Sequence, residues 1–142
     1  MIIPDLNLLI YCYNADSPLQ PEAAQWWEDC LNGSEEIGLV SVVVFGFIRI
    51  STQPRLFKNP FSISEASDIV RKWLRNRNVR FIEPNPTHIE EVFALLENNV
   101  KAGNLTTDAQ IAALALQEVA CVHSHDTDFR SFPGLDCHYP LR

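Results

Sequence analysis

Short apolar runs and longer amphipathic stretches alternate along this chain, which predicts strands followed by helices. Continuous apolar runs are typical of buried strands, whereas apolar residues recurring every three or four positions indicate one face of a helix. The runs predict strands over residues 2–4, 37–40, 79–82, 120–124 and, as a short edge strand, 136–139. The amphipathic stretches predict helices over residues 5–13, 22–31, 64–75, 87–98 and a last one that Thr106 or Thr107 caps and that ends near Val119. This alternation predicts an α/β fold with three layers, α/β/α, around a mostly parallel central sheet.

The segment over residues 41–52 fits either a strand or a helix. Its β-branched and aromatic residues favour a strand, but Ser41 is a suitable cap for a buried helix that runs to Thr52. We predict the helix, because a strand already precedes this segment. A clearer signal follows, since Ser62 and Glu65 fit a capping box at the start of the next helix.

Length and composition indicate one globular domain over residues 1–142. The chain is 46% hydrophobic and 20% charged, which is enough to build a core. No apolar run approaches the length of a membrane span, and the N-terminus lacks the features of a signal peptide. We therefore expect a cytoplasmic protein that does not enter a membrane, with its four cysteines reduced.

The formal net charge of −7 argues against broad, non-specific binding to nucleic acid. It does not exclude a nucleic-acid substrate, because acidic residues gathered around a metal lower the net charge without making the whole surface acidic. Basic residues between Arg71 and Arg80 could form an RNA track, although a solvated helix face is the simpler interpretation.

Aspartates stand at three predicted junctions between a strand and a helix. Asp5 follows the first strand, Asp108 opens the last helix, and Asp126 and Asp128 follow the last clear strand. The carboxyl ends of parallel strands meet at one edge of a sheet, so these carboxylates should lie close together. Such a cluster repels itself unless it holds a cation. Oxygen ligands favour hard cations, so the pattern predicts a Mg²⁺ or Mn²⁺ site.

Each aspartate also has a purely structural interpretation. Asp is a preferred N-cap, which alone could explain Asp5 or Asp108, and Asp126 and Asp128 could be turn formers. The three junctions together favour the metal site. Because Thr106 already offers a cap for the last helix, capping explains Asp108 less well. The chain has no motif for a Ser or Cys nucleophile and no phosphate-binding glycine loop.

Five segments around these residues resemble the PIN-domain ribonucleases of the VapC toxin type. They are residues 4–11 (PDLNLLIY), 47–55 (FIRISTQPR), 103–115 (GNLTTDAQIAALA), 124–129 (SHDTDF) and 132–135 (FPGL). The resemblance implies a single PIN domain that acts as a Mg²⁺- or Mn²⁺-dependent endoribonuclease. It also implies the toxin of a type II toxin–antitoxin pair, a cognate antitoxin, an RNA substrate and a homodimer.

The resemblance also assigns site residues. Asp5 matches the first acidic position of the family, Asp108 the third and Asp126 the fourth, and Asp128 is a neighbouring acid that some members use. The second acidic position is Gly46 here, and no acid lies between Glu36 and Glu65. We therefore expect one metal, held by Asp5, Asp108 and Asp126 with help from Asp128.

Two polar residues are candidates for binding substrate. Asn7 could position a water or a phosphate, or could simply bond to the nearby backbone. Arg49 suits an RNA contact and a structural ion pair equally well.

Two further interpretations concern activity and partners. Gly46 leaves open a PIN-like module that has lost most of its catalysis and binds RNA or protein. We expect part of the following apolar set to form a patch for a second subunit or an antitoxin helix: Phe45, Phe47, Phe57, Phe61 and Trp73. An antitoxin Arg could pair with Asp5 or Asp126 and displace the metal.

Overall fold

The computed structural model describes residues 1–99 and 102–142. Within these residues, the five strands are β1 (Ile2–Pro4), β2 (Ile37–Val40), β3 (Val79–Ile82), β4 (Cys121–His123) and β5 (Asp136–His138). The α-helices are α1 (Leu6–Tyr13), α2 (Gln20–Asn32), α3 (Ser41–Ser51), α4 (Ile63–Leu74), α5 (His88–Glu97) and α6 (Thr106–Glu118). Short 3₁₀ helices span Ala102–Leu105 and Thr127–Ser131. The predicted order of strands and helices is confirmed.

The strands form one sheet in the order β3-β2-β1-β4-β5. All four strand pairings seen in the described part of the chain are parallel. The central pair is in register from Ile2 opposite Cys121 to Pro4 opposite His123. The predicted three-layer α/β/α fold with a mostly parallel sheet is confirmed. Since β1 and β4 are neighbours and point the same way, the residues that follow them emerge side by side.

Helix α3 resolves the ambiguous segment. Val43, Val44 and Phe47 are buried on it, so burial against the core outweighs the strand propensity of its β-branched residues. The predicted cap is wrong: Val40 is the N-cap residue, and no side-chain hydrogen bond closes the helix start. Ser41 already lies inside the first turn.

Of the predicted caps of α4 and α6, the first is confirmed and the second is wrong. Ser62 and Glu65 form the predicted capping box at the start of α4, with hydrogen bonds of 3.0 and 2.9 Å to each other's backbone N–H. The threonine cap of α6 is wrong, because Leu105 is the N-cap residue and the Thr106 hydroxyl donates to the Gly103 carbonyl.

The core lies between the helices and the sheet and absorbs much of the apolar set named above. Phe47, Phe57 and Trp73 are buried, whereas Phe45 is 65% exposed. Among the residues that the structure describes, no helix has both the length and the apolar character to span a membrane.

Candidate metal centre

Asp5 is the most buried acid of the site and has two structural bonds. It follows β1 directly, and its Oδ1 accepts the backbone N–H of Leu6 at 2.7 Å, which caps α1. Its Oδ2 accepts the Ser124 hydroxyl at 2.6 Å. Capping and a place in the acidic cluster are therefore compatible for the same carboxylate.

The segment after β4 supplies the next two acids. Asp126 donates its backbone N–H to the Ser124 hydroxyl at 2.9 Å, and its Oδ1 accepts the backbone N–H of Asp128 at 2.9 Å. This second bond caps the 3₁₀ helix that begins at Thr127. The turn-forming interpretation is correct for the backbone, and the same turn aims both side chains toward α6.

The structure brings Asp108 to these residues from the first turn of α6. One carboxylate oxygen each from Asp108, Asp126 and Asp128 lies within 4.8 Å of the others. Asp5 lines the same cleft, of about 300 Å³, as Asp108 and Asp126. We call this the acid cleft; its remaining lining residues are Leu6, Asn7, Ile10, Tyr11, Ile50 and Thr107.

Burial and mutual repulsion both act on the acid cleft. Burial, together with the negative charges of Asp5, Asp126 and Asp128, raises the pKa of Asp108 to about 7. Burial also raises the pKa of Asp5 to about 6, against the hydrogen bonds from Ser124 and Leu6, which lower it. Without a cation, ionising these groups is therefore costly near neutral pH.

These pKa values predict an unusual pH dependence for the metal-free protein. In the folded protein, Asp5 and Asp108 stay protonated up to a higher pH than in the unfolded chain, where both have the ordinary pKa of 3.8. Their contribution to the free energy of unfolding is full below about pH 4 and is lost as pH rises through about 6 and 7. Burial lowers the pKa of His123 to about 4, so the contribution of His123 to the free energy of unfolding rises with pH over the same range. We therefore expect the free energy of unfolding of Asp108→Asn to fall less than that of wild type as pH rises toward neutrality.

Urea unfolding in EDTA between about pH 4 and pH 8 would measure this effect. The free energy of unfolding of wild type should fall relative to that of Asp108→Asn as pH rises. Parallel curves for the two proteins would contradict the raised pKa of Asp108.

Ser124 is a site residue that sequence reasoning missed. It is fully buried, and its hydroxyl joins Asp5 to the backbone of Asp126, so it orients the two acids together. A serine just after a strand looks like an ordinary turn residue. Only the parallel neighbourhood of β1 and β4 places it between the acids.

We expect Ser124→Ala to weaken binding of Mn²⁺ by about 10- to 100-fold, as is usual when a partner that orients a ligand is lost. The change leaves Asp5 Oδ2 without its donor and raises the pKa of Asp5 further. Calorimetric titration with Mn²⁺ measures the effect. Ser131→Ala is the matched control, because that hydroxyl donates to the backbone carbonyl of Asp128 and to no carboxylate. Equal affinities in the two variants would contradict this role.

Of the two candidates for binding substrate, one lies in the acid cleft and the other lies outside it. Asn7 lines the acid cleft, and its Oδ1 is buried without a hydrogen-bond partner among the described residues. Arg49 is exposed on α3, is not part of the cleft lining and makes no ion pair within the described chain. At Gly46, a Cβ atom would lie 2.6 Å from Leu6 Cδ2, so Leu6 occupies the space where another side chain would start.

A larger cleft of about 500 Å³ lies elsewhere, against α2. Its lining includes Trp26, Asp29, Glu35 and His123. In the part of the chain that the structure describes, the only close group of three potential metal ligands is the aspartate cluster. Ligand chemistry therefore locates the site, and cavity size does not.

Comparison with known proteins shows which family the chain resembles along its length. The model of the PIN domain family matches residues 2–135. Ribonuclease VapC33 of Mycobacterium tuberculosis is 41% identical over 142 residues, which cover 100% of this chain and 99% of that protein. Ribonuclease VapC37 of the same species is 30% identical over 135 residues, covering 95% of this chain and 94% of that protein.

Solved structures show the same fold at lower identity. The crystal structure of Mycobacterium tuberculosis VapC20, described as a sarcin-ricin loop cleaving toxin, has a TM-score of 0.71 at 14% identity, covering 96% of this chain and 99% of that one. The crystal structure of VapBC2 from Rickettsia felis bound to a promoter DNA fragment has a TM-score of 0.68 at 16% identity, covering 97% of this chain and 98% of the matched chain.

Proposed function

The chain belongs to the PIN domain family, in its VapC branch, and we propose that it is a Mg²⁺- or Mn²⁺-dependent endoribonuclease that hydrolyses RNA phosphodiester bonds. One observation carries this proposal. Asp5, Asp108 and Asp126 come from the end of β1, the start of α6 and the end of β4, and they line one cleft. The names of the relatives supply the substrate class.

The donor set fits a hard divalent cation. The three ligand atoms that approach one another are all carboxylate oxygens, a set that suits Mg²⁺ or Mn²⁺ better than Zn²⁺. The raised pKa values of Asp5 and Asp108 fit as well, because a cation would relieve the cost of ionising them. Asp5, Asp108 and Asp126 would hold the ion, with Asp128 as a fourth acid.

The ion, when bound, would neutralise a phosphodiester oxygen and lower the pKa of a coordinated water. The protein's own groups would position the reactants. Ser124 holds one oxygen of Asp5 in place, and Asn7, which lines the cleft beside the acids, would help to position the attacking water or a phosphate. Arg49, exposed outside the cleft, would contact an RNA phosphate farther along the chain.

We extend the proposal to partners and setting. The chain would act as a single cytoplasmic PIN domain, as a homodimer, and as the toxin of a pair with a cognate antitoxin. Support comes from relatives named VapC and from structural neighbours that include VapBC assemblies. The net charge of −7 would attract a basic antitoxin tail, and an antitoxin Arg paired with Asp5 or Asp126 would compete with the metal. Exposed Phe45 is a candidate contact for either partner.

A circular, labelled single-stranded RNA tests the activity, because only an endonuclease can open a circle. We expect linear products with Mg²⁺ or Mn²⁺ and none after the protein and buffers are treated with EDTA. Opening of the circle in EDTA would contradict the metal mechanism. An intact circle in the presence of Mn²⁺ would contradict the nuclease proposal.

The alternative is a PIN-like module that binds RNA or protein with weakened catalysis. Gly46, packed against Leu6, is the observation that favours it, because no second acid faces the cluster from that point of α3. Binding of the circular RNA without opening it would support this alternative.

A further inference from the structure

The acid cleft has a nonpolar wall that a cation does not use. Leu6, Ile10, Tyr11 and Ile50 form this wall in the same cleft as the acids, and all four are partly exposed. Cation binding and phosphate binding need oxygen and nitrogen atoms, which these side chains do not offer, apart from the Tyr11 hydroxyl. The wall therefore suits another part of the ligand that brings a phosphate to the acids.

Tyr11 is the aromatic member of this wall, and its ring is held in place. The His125 ring meets it edge to face, with ring centroids 5.8 Å apart and an interplanar angle of 87°. His125 immediately precedes Asp126, so this contact ties the Tyr11 ring to the segment that carries the metal-site acids. Within the described residues, no protein group bonds to the Tyr11 hydroxyl, so no hydrogen bond commits the ring to the fold.

The size and position of the wall select its occupant. A cleft of about 300 Å³ has room for one flat group of the size of a nucleobase and is small beside a helix, which is about 10 Å across. In an RNA chain, the nucleoside next to the scissile phosphate is the group that must lie beside the acids. Unpaired bases stack on aromatic side chains, and this contact does not need positive charge from the protein.

We propose that Tyr11, with Leu6, Ile10 and Ile50, forms a stacking site for an unpaired nucleobase adjacent to the phosphate that is cleaved. The inference rests on the proposed ribonuclease function and makes it more specific, because it names the residues that would hold the base beside the cleaved bond. Tyr11 is a positioning and specificity residue in this account, because it contacts the substrate base and not the reacting atoms.

The test compares Tyr11→Leu, which keeps nonpolar bulk without the ring, with Tyr11→Phe, which keeps the ring. The probe is a labelled, single-stranded RNA library of randomised sequence, cleaved in Mn²⁺ and sequenced at its new ends. The preferred site is then made as a defined RNA, with and without an abasic nucleotide beside the cleaved bond. Tyr139→Leu is the matched control, since Tyr139 lies outside the acid cleft, and thermal unfolding checks that each variant folds.

We expect Tyr11→Leu to raise KM about tenfold with kcat largely kept, and to flatten the base preference beside the cut. Tyr11→Phe and Tyr139→Leu should behave like wild type. The abasic nucleotide should raise the KM of wild type about as much as the Tyr11→Leu change does. It should raise the KM of Tyr11→Leu little further. An unchanged KM and base preference in Tyr11→Leu would overturn the proposal, as would a fall in kcat alone.

Two outcomes separate this inference from its premises. If wild type cleaves none of the library, the proposed function fails. Stacking is then tested by fluorescence anisotropy of the same RNA. Equal Kd values for wild type and Tyr11→Leu would overturn the stacking site. If Tyr11→Leu keeps its KM but loses affinity for the cognate antitoxin, the wall belongs to a protein partner, and the base site is wrong.

Discussion

Replacing Asp108 by Asn should lower the rate of RNA cleavage by about a thousandfold or more, while the protein stays folded. A bound metal ion supplies several kcal/mol of transition-state stabilisation, and each 1.4 kcal/mol or so is tenfold in rate. Asp108 is one of the three residues whose carboxylate oxygens lie within 4.8 Å of one another. Its removal should therefore cost most of the metal's contribution. Initial rates on the defined RNA, at saturating Mn²⁺, measure the loss.

The fold should tolerate this change, because it removes a half-buried carboxylate that repels three other acids. The metal-free variant is expected to be at least as stable as wild type at neutral pH. Asp136→Asn is the control, since Asp136 is an exposed acid on the edge strand β5. A loss of similar size in both variants would show that general charge, and not the acid cleft, governs the rate.

Replacing Trp73 by Ala should cost about 3–5 kcal/mol of stability, which is a large part of the total for a domain of this size. Trp73 of α4 is 2% exposed. Its ring lies 4.8 Å from that of Phe47 and 5.6 Å from that of Trp27, and its indole N–H donates to the Tyr13 hydroxyl at 3.0 Å. One side chain thus joins α4 to α1, α2 and α3. The loss leaves both a cavity and an unpaired hydroxyl.

Urea unfolding of Leu74→Ala provides the comparison. Leu74 is the next residue of the same helix but is 41% exposed, so its removal should change stability by only about 0.5 kcal/mol. Because Asp5 caps α1, loosening α1 should also weaken metal binding in Trp73→Ala. A cost below about 1 kcal/mol for Trp73→Ala would contradict the proposed packing role of the ring.

The strands and the convergence of the acids could be predicted from sequence for one physical reason. Parallel strands place their following residues at one edge whatever the details of packing, so Asp5 and Asp126 had to emerge together once β1 and β4 were neighbours. The helix over 41–52 was predicted because a strand already precedes this segment, and not from its own residues, whose propensity favours a strand.

What the sequence did not reveal depends on contacts between distant residues. The Ser124 hydroxyl meets Asp5 across 119 positions of sequence, and nothing local marks it. The missed caps at Ser41 and Thr106 show the converse: a residue suited to capping is not used when the backbone enters the helix through Val40 or Leu105. Likewise, Gly46 looked like a missing acid, and only the structure shows Leu6 packed over it.

Titration of Mn²⁺ into EDTA-stripped, dialysed protein, followed by calorimetry, tests most directly whether the acid cleft holds a cation. Wild type should show saturable binding that releases protons near neutral pH, because Asp108 and Asp5 have raised pKa values of about 7 and 6 and must ionise to bind the ion. Asp108→Asn should lose this binding, and Asp136→Asn should keep it. Equal binding by wild type and Asp108→Asn would contradict the account.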